Sequence, residues 1–369
     1  MKAIVSGGGS GGHIFPAIAI ANALKHRFPD AEILFVGAEG KMEMDKVPAA
    51  GYTIKGLPID GLHRQLNWTN IKRNIRLPFK ICKSNRMVRA ILKEFQPDIV
   101  IGVGGYASEP TLKMAERMGL PTLLQEQNSY AGLTNKLLSR KARTICVAYD
   151  GMERFFPAEK IVMTGNPVRR DIEDMSVTRQ EGCEHFGLNE ADKVVLSVGG
   201  SLGARSINNM LLRNIDFFVT NKIQLIWQTG VWMYDEVAKA VSAAHAEEWV
   251  KVHKFINRMD MAYAAADVVV SRAGAIAISE LCLVGKPMIL IPSPNVAEDH
   301  QTKNAQSLVN KGAAILVPDS KCSEEGIPNL LKIINSEETA KKMSEACKNL
   351  GMRNAAEKIV DEIMKIIES

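Results

Sequence analysis

The chain has 369 residues, 46% of them apolar, and 46 Lys and Arg against 41 Asp and Glu give a formal net charge of +5. That length exceeds one ordinary hydrophobic core and suits two α/β domains, and so small an excess of charge makes its distribution more informative than its total. The six cysteines, at 82, 146, 183, 282, 322 and 347, form no CxxC pair and no zinc-site spacing, so they read as reduced core residues of a cytoplasmic protein.

Met1-Lys2 leads straight into an apolar run, Lys2–Ser6, with no signal-peptide pattern. The run breaks into Gly7-Gly8-Gly9-Ser10-Gly11-Gly12-His13 and then into a helical pattern over Ile14–Phe28. Strand, glycine loop and helix start in this order let backbone N–H groups close on an anion. Gly7, Gly9 and Gly12 also fit the G-x-G-x-x-G of dinucleotide enzymes. Such a site needs a carboxylate about 20 residues further on. Glu39, the nearest candidate, comes 27 residues after Gly12 in another glycine stretch, a poor fit for NAD.

Strand-like runs follow at Glu32–Val36 and Tyr52–Ile54. From Gly61 to Lys93 there is no Asp or Glu, but there are nine basic residues: Arg64, Lys72, Arg73, Arg76, Lys80, Lys83, Arg86, Arg89 and Lys93. Leu66, Trp68, Ile71, Ile75, Leu77, Phe79 and Ile81 are interleaved with them. A solvated basic helix and a nucleic-acid surface are alternatives, but basic and aromatic residues mixed in this way suit an anionic membrane surface. No apolar run approaches the ~18 residues of a membrane span, so any membrane contact is expected to be peripheral.

The strand Asp98–Val103 runs into a second glycine cluster, Gly102 to Ser108, which reads as a turn or a ligand loop. Thr111–Met118 and Leu133–Arg140 read as helices, and Pro121–Leu124, Arg143–Val147 and Lys160–Met163 as strands. Gly165-Asn166-Pro167-Val168-Arg169-Arg170 then interrupts the pattern, which suggests domains at 1–164 and 165–351.

The second half repeats the first. Lys193–Val198 leads into Gly199-Gly200-Ser201-Leu202-Gly203-Ala204, a helix is expected over Ile207–Val219, and strands over Gln224–Trp227, Val250–Phe255, Asp267–Ser271, Pro287–Ile291 and Ala313–Val317. Gly274 opens the helical run Ala275–Val284, which carries Glu280, a carboxylate suited to both hydroxyls of a ribose. Met352–Ile367 is an amphipathic helix expected to cross back onto the first domain. Alternation of this kind means parallel sheets with right-handed crossovers, whose ligands bind at the carboxyl ends of the strands. Two phosphate-type loops, one per half, suggest two phosphorylated substrates.

Seven segments in order, GGGSGGHIFP, GVGGYAS, QEQNSYAGLTNK, GNPVR, VGGSLGAR, SRAGAIAISE and EDHQTKNA, cover the chain from Gly7 to Ala305. Together they resemble the MurG family, the UDP-N-acetylglucosamine transferases of bacterial peptidoglycan synthesis. The resemblance implies the GT-B fold, two Rossmann-like parallel-sheet domains facing a central cleft. It implies inverting transfer of GlcNAc from UDP-GlcNAc to undecaprenyl-pyrophosphoryl-MurNAc-pentapeptide (lipid I), giving lipid II, with no metal and no nicotinamide cofactor. It further implies work at the cytoplasmic face of the plasma membrane, with cell-wall synthesis and division proteins as partners and no nucleic acid.

Carried onto this sequence, the resemblance puts Ser201 on the UDP diphosphate and the Ile256 backbone on uracil. Ala275, Ile276, Ala277, Ile278, Ser279 and Glu280 line the nucleotide, with Glu280 on the ribose. Gln301 binds the GlcNAc hydroxyls, and Arg169 contacts phosphate or nucleotide. Ser10, Gly11, Gly12 and Asn128 approach the sugar or the acceptor. Ser10 replaces a commoner threonine, Leu202 a frequent glutamine and Ala277 a frequent threonine. Inversion needs a base at the attacking hydroxyl. His13 is the first choice and Glu126 the second. A different glycolipid acceptor, an NAD-dependent oxidoreductase and a non-catalytic scaffold are the competing readings.

Overall fold

Strands rich in apolar residues, the central ones buried along their length and those toward the sheet edges only in part, build two parallel sheets, as expected where helices cover both faces. The computed structural model describes residues 1–59 and 68–369, and for 68–78 and 297 the backbone alone. The chain divides into two compact units, Met1–Arg169 with Asn354–Ser369, and Arg170–Arg353.

In the first unit the strands are β1 (Lys2–Ser6), β2 (Glu32–Ala38), β3 (Thr53–Leu57), β4 (Ile99–Gly102), β5 (Thr122–Glu126), β6 (Thr144–Val147) and β7 (Ile161–Met163). They are ordered β3-β2-β1-β4-β5-β6-β7. Parallel register sets Val5 beside Phe35 on one side of β1 and beside Ile101 on the other. The helices are α1 (Gly11–Arg27), α2 (Glu43–Ala49), α3 (Trp68–Phe95), α4 (Ser108–Arg117) and α5 (Leu133–Leu138). The terminal helix Ala355–Glu368 packs on α1 and buries Ile359, Val360 and Ile363 against Val5, Ile20 and Leu24.

The second unit has β8 (Lys193–Val198), β9 (Ile223–Gln228), β10 (Val250–His253), β11 (Val268–Ser271), β12 (Met288–Leu290) and β13 (Ile315–Leu316), ordered β10-β9-β8-β11-β12-β13. Its helices are α6 (Arg170–Glu173), α7 (Arg179–Phe186), α8 (Arg205–Leu212), α9 (Ile215–Thr220), α10 (Tyr234–Ala243), α11 (Met259–Ala265), α12 (Ala275–Val284), α13 (His300–Val309), α14 (Cys322–Ile334) and α15 (Glu337–Leu350). The helix expected over 207–219 is two helices. Asn214 turns its side-chain amide onto the Met210 carbonyl at 2.7 Å, closing α8, and then stands at the N-cap of α9. Asparagine competes with the helix in this way because its side chain satisfies backbone groups that the helix leaves open.

Five of the six cysteines are buried, Cys82 is exposed on α3, and none is bridged. Among the described residues no helix is long and apolar enough to cross a membrane.

Candidate active site

Strand order reverses between β1 and β4 in the first sheet and between β8 and β11 in the second. Loops leaving adjacent strands diverge at such a point and leave a crevice beyond their carboxyl ends. All three glycine loops read from the sequence fall at these two points.

In the first unit, α1 begins at Gly11 with Ser10 extended at its N-cap. His13 sits on the first turn, half-buried. Its Nδ1 lies 3.2 Å from the Gly8 carbonyl oxygen and 3.3 Å from Ser10 Oγ. A carbonyl only accepts, whereas a hydroxyl serves either way, so the network assigns the proton to Nδ1 and the lone pair to Nε2. The loop after β4 borders the same ring. A Cβ at Gly104 would stand 2.9 Å from Nε2, and one at Gly105 would stand 2.3 Å from the Gly8 oxygen; both residues have φ +92°. Glycine is required at both positions, by conformation and by space.

Beneath the loop lies a carboxylate that the sequence does not announce. Glu43, the first residue of α2, is fully buried. Its Oε2 accepts the Gly9 N–H at 2.9 Å and its Oε1 the Ala38 N–H at 3.0 Å. A glutamate in a short helix gives no sequence signal of such a role. Glu39, the weak candidate for a dinucleotide ribose, is exposed. The Gly9 amide therefore turns inward to a carboxylate rather than outward to a pyrophosphate, which counts against an NAD site.

Glu126, at the end of β5, is 2% exposed. Its Oε1 accepts the backbone N–H and side-chain amide of Asn128 at 3.1 and 3.2 Å, and its Oε2 accepts the Gly132 N–H and Asn135 Nδ2, both at 2.9 Å. Four donors on one carboxylate make it an anchor for the segment 127–135, and they fix Asn128 at the strand end. A proton acceptor for substrate needs a lone pair turned outward, and both oxygens of Glu126 are engaged by its own segment. Arg169 ends the first stretch of the unit, where the chain passes into the second, and is half-buried.

In the second unit, a cavity of about 490 Å³ opens at the β8/β11 reversal. Gly199, Gly200, Gly203 and Ala204 line it from the loop after β8, Arg272, Gly274 and Ala277 from the start of α12, and Ser293 and Gln301 from beyond β12. Gln301 Oε1 accepts the Ser293 N–H at 2.8 Å, which holds this side chain at the cavity wall. Glu298 and Asp299, ahead of His300 at the start of this helix, hold φ of 56° and 51°, a left-handed pair that costs of order 1–3 kcal/mol per residue. Ser201 is exposed at the tip of the glycine loop, and Leu202 beside it is 60% exposed.

Outside the cavity lining, Glu280 is 7% exposed and accepts the Tyr263 hydroxyl at 2.9 Å. Ser279 Oγ donates back to the Ala275 carbonyl at 3.0 Å. Ala275 and Ile278 are buried and Ile276 is half-buried, so this helix start offers backbone amides rather than side chains. The Ile256 N–H is already donated to Gln228 Oε1 at 2.8 Å, so a backbone contact to a base would come from its carbonyl. Gln228 Nε2 reaches the Gly200 carbonyl at 3.0 Å. This buried side chain ties the glycine loop to the segment after β10, and the strand expected from the sequence stops one residue short of it. Arg272, part of the SRAGAIAISE segment, donates to the carbonyls of Ile291 and Pro292, to Ser206 Oγ and to Asp319. It braces the cavity wall. Among the described residues no three His, Cys, Asp or Glu side chains group as metal ligands.

Two family models match the chain: the glycosyltransferase family 28 N-terminal domain over residues 3–147 and the glycosyltransferase family 28 C-terminal domain over residues 194–359. A protein of Parabacteroides distasonis is 55% identical over 100% of this chain and 98% of its own length, and one of Bacteroides fragilis is 53% identical over 100% and 96%. Both are named UDP-N-acetylglucosamine–N-acetylmuramyl-(pentapeptide) pyrophosphoryl-undecaprenol N-acetylglucosamine transferase. Among solved structures, MurG of Acinetobacter baumannii superposes with a TM-score of 0.79 at 28% identity, covering 99% of each chain. The UDP-GlcNAc 2-epimerase of Neisseria meningitidis, at 16% identity over 99% of this chain and 100% of its own and a TM-score of 0.68, shares the fold.

Proposed function

The chain belongs to glycosyltransferase family 28 and to its MurG transferases, and on that premise we propose how its residues divide the transfer of N-acetylglucosamine from UDP-N-acetylglucosamine to lipid I. The second unit takes the donor. Amides of the 199–204 loop and of the start of α12 face the diphosphate, with Ser201 at the loop tip. Glu280 accepts the ribose hydroxyls, the Ile256 carbonyl meets the uracil, and Gln301 donates to the sugar. Arg169 adds a cation for phosphate. The first unit takes the acceptor at Ser10, Gly11, Gly12 and Asn128, with His13 as general base.

The chemistry follows from these roles. The acceptor hydroxyl attacks the anomeric carbon as the bond to UDP breaks, so the configuration inverts. The hydroxyl proton passes to His13 Nε2, and the electron pair of the broken bond leaves on the diphosphate. Preorganised amides aimed at that charge stabilise it without reorganisation. The observation that carries this reading is the 3.2 Å contact of His13 Nδ1 with the Gly8 carbonyl oxygen, which favours the proton on Nδ1 and so makes Nε2 the accepting nitrogen. It is tested with the purified protein, UDP-GlcNAc and a lipid I analogue. One equivalent of UDP per β-linked disaccharide product is expected. Retained α-configuration, or turnover only with another glycolipid, would remove it.

The protein is further proposed to work as a peripheral enzyme at the cytoplasmic face of the plasma membrane. Much of the basic-apolar segment 64–93 lies outside the described residues: Arg64 and Leu66 entirely, and the side chains from Trp68 to Leu77. In the described part of α3, Phe79 is 78% exposed, and Lys83, Arg86, Arg89 and Lys93 line the helix with it, apart from a buried face of Ser84, Val88 and Leu92. At ~1 kcal/mol per cation near an anionic surface, the double variant Lys83→Glu/Arg89→Glu should lose ~10-fold or more in binding to anionic vesicles. Co-sedimentation measures it, and equal binding of wild type to neutral and anionic vesicles would defeat the membrane reading.

A further inference from the structure

One peptide group in the first unit is held from both ends. Its N–H, that of Gly9, donates to Glu43 Oε2 at 2.9 Å, and its C=O, that of Gly8, lies 3.2 Å from His13 Nδ1. In a trans peptide these two groups point in opposite directions, so the carboxylate and the imidazole stand on opposite sides of one resonant amide. We propose that Glu43 is a positioning residue for His13, acting through the Gly8–Gly9 peptide. This inference rests on the reading of His13 as the base.

The physical basis is polarisation. A carboxylate on the N–H draws the amide toward its zwitterionic resonance form and places more negative charge on the carbonyl oxygen. Hydrogen bonds in series strengthen one another in this way, most where water is excluded. Glu43 is fully buried, and its second oxygen is fixed by the Ala38 N–H at the end of β2, so the carboxylate cannot swing away. A more basic Gly8 carbonyl holds the Nδ1–H tautomer, leaves the lone pair on Nε2, and stabilises the imidazolium formed when Nε2 takes the acceptor's proton. The proton stays on the imidazole, and Glu43 takes none. The logic is that of a base oriented by a carboxylate, with a peptide group interposed.

The packing around this peptide is close on both sides. A Cβ at Gly8 would come 2.1 Å from Glu43 Oε1, and one at Gly105 would come 2.3 Å from the Gly8 oxygen. Two glycines therefore let the carboxylate and the β4 loop close on the peptide from either side. Ser10 Oγ lies 3.3 Å from Nδ1, where a hydroxyl can accept the same proton.

The test compares wild type with Glu43→Gln and Glu43→Asp in the full chain. Glutamine keeps the shape, but its neutral amide accepts on one side only. Glu43→Gln is expected to lower kcat by between ~10- and ~100-fold, a share of the roughly 10²- to 10⁴-fold that a general base supplies, with the KM for UDP-GlcNAc within about 2-fold of wild type. Glu43→Asp keeps the charge and should recover part of the loss. The decisive reading is ¹⁵N NMR of the His13 ring, which should show the Nδ1–H tautomer in wild type and a shift toward Nε2–H in Glu43→Gln. Normal kcat, or an unchanged tautomer in a folded Glu43→Gln protein, would overturn the proposal. If that variant does not fold, the wild-type spectrum still decides, because an Nε2–H tautomer there breaks the chain at Gly8. The two readings fail separately: near-normal turnover of His13→Ala removes the base, whereas a dead His13→Ala beside a fully active Glu43→Gln removes only the role of Glu43.

Discussion

His13→Ala is expected to lower kcat by at least ~100-fold, the lower end of what a positioned base contributes. Donor KM should change little, since Ser201, Glu280 and Gln301 all belong to the other unit. That pattern marks a group that acts only in the transition state. In His13 the contact of Nδ1 with the Gly8 carbonyl places the accepting lone pair on Nε2, beside a Gly104 that has no side chain to crowd it. In Glu126, four hydrogen bonds from its own segment occupy its two oxygens. Turnover of the purified variant with a lipid I analogue at saturating UDP-GlcNAc measures the effect. A kcat near that of wild type would remove His13 from the chemistry.

Gly203→Ala is expected to raise the donor KM by ~10-fold or more, since about 1.4 kcal/mol lost in binding is tenfold in affinity. Two costs combine there. Gly203 has φ +80°, which an alanine adopts only with strain of order 1–3 kcal/mol. An added Cβ would also stand 1.9 Å from the Thr229 carbonyl oxygen, a backbone atom that cannot turn away. The loop must shift, and it carries Ser201 and the amides of Gly199 and Gly200 with it. Gly200→Ala is the control, because Gly200 has φ +87° but open space at its Cβ. It bears the conformational cost without the collision. Melting temperature should therefore fall more for Gly203→Ala than for Gly200→Ala, and UDP-GlcNAc should stabilise the former least. An unchanged donor KM in Gly203→Ala would separate this loop from the donor.

Both experiments probe glycine loops, and these are legible in the amino-acid sequence because a phosphate-type loop is written locally. Backbone amides need small neighbours, so the signal lies in consecutive residues after an apolar run. The strands are legible for a similar reason, since burial on both faces demands unbroken apolar sequence. The break at Asn214 is less so, because a helical apolar pattern continues through it and its mark is one asparagine with non-helical backbone whose side chain bonds the Met210 carbonyl.

Short spacings along the chain are enough to specify two successive α/β units, a glycine loop in each, and His13, Glu280 and Gln301 within motifs of a sugar-nucleotide transferase. Folding adds what no spacing encodes. Glu43 reaches under the first loop, Glu126 is consumed by its own segment, Gln228 takes the Ile256 amide, and Arg272 braces a wall. A charged or amide side chain carries no mark of its partner in the sequence. Its role is set by strands and loops that meet only once the sheet is assembled, where residues as far apart as Gly9 and Glu43, or Gln228 and Ile256, first come within hydrogen-bonding distance.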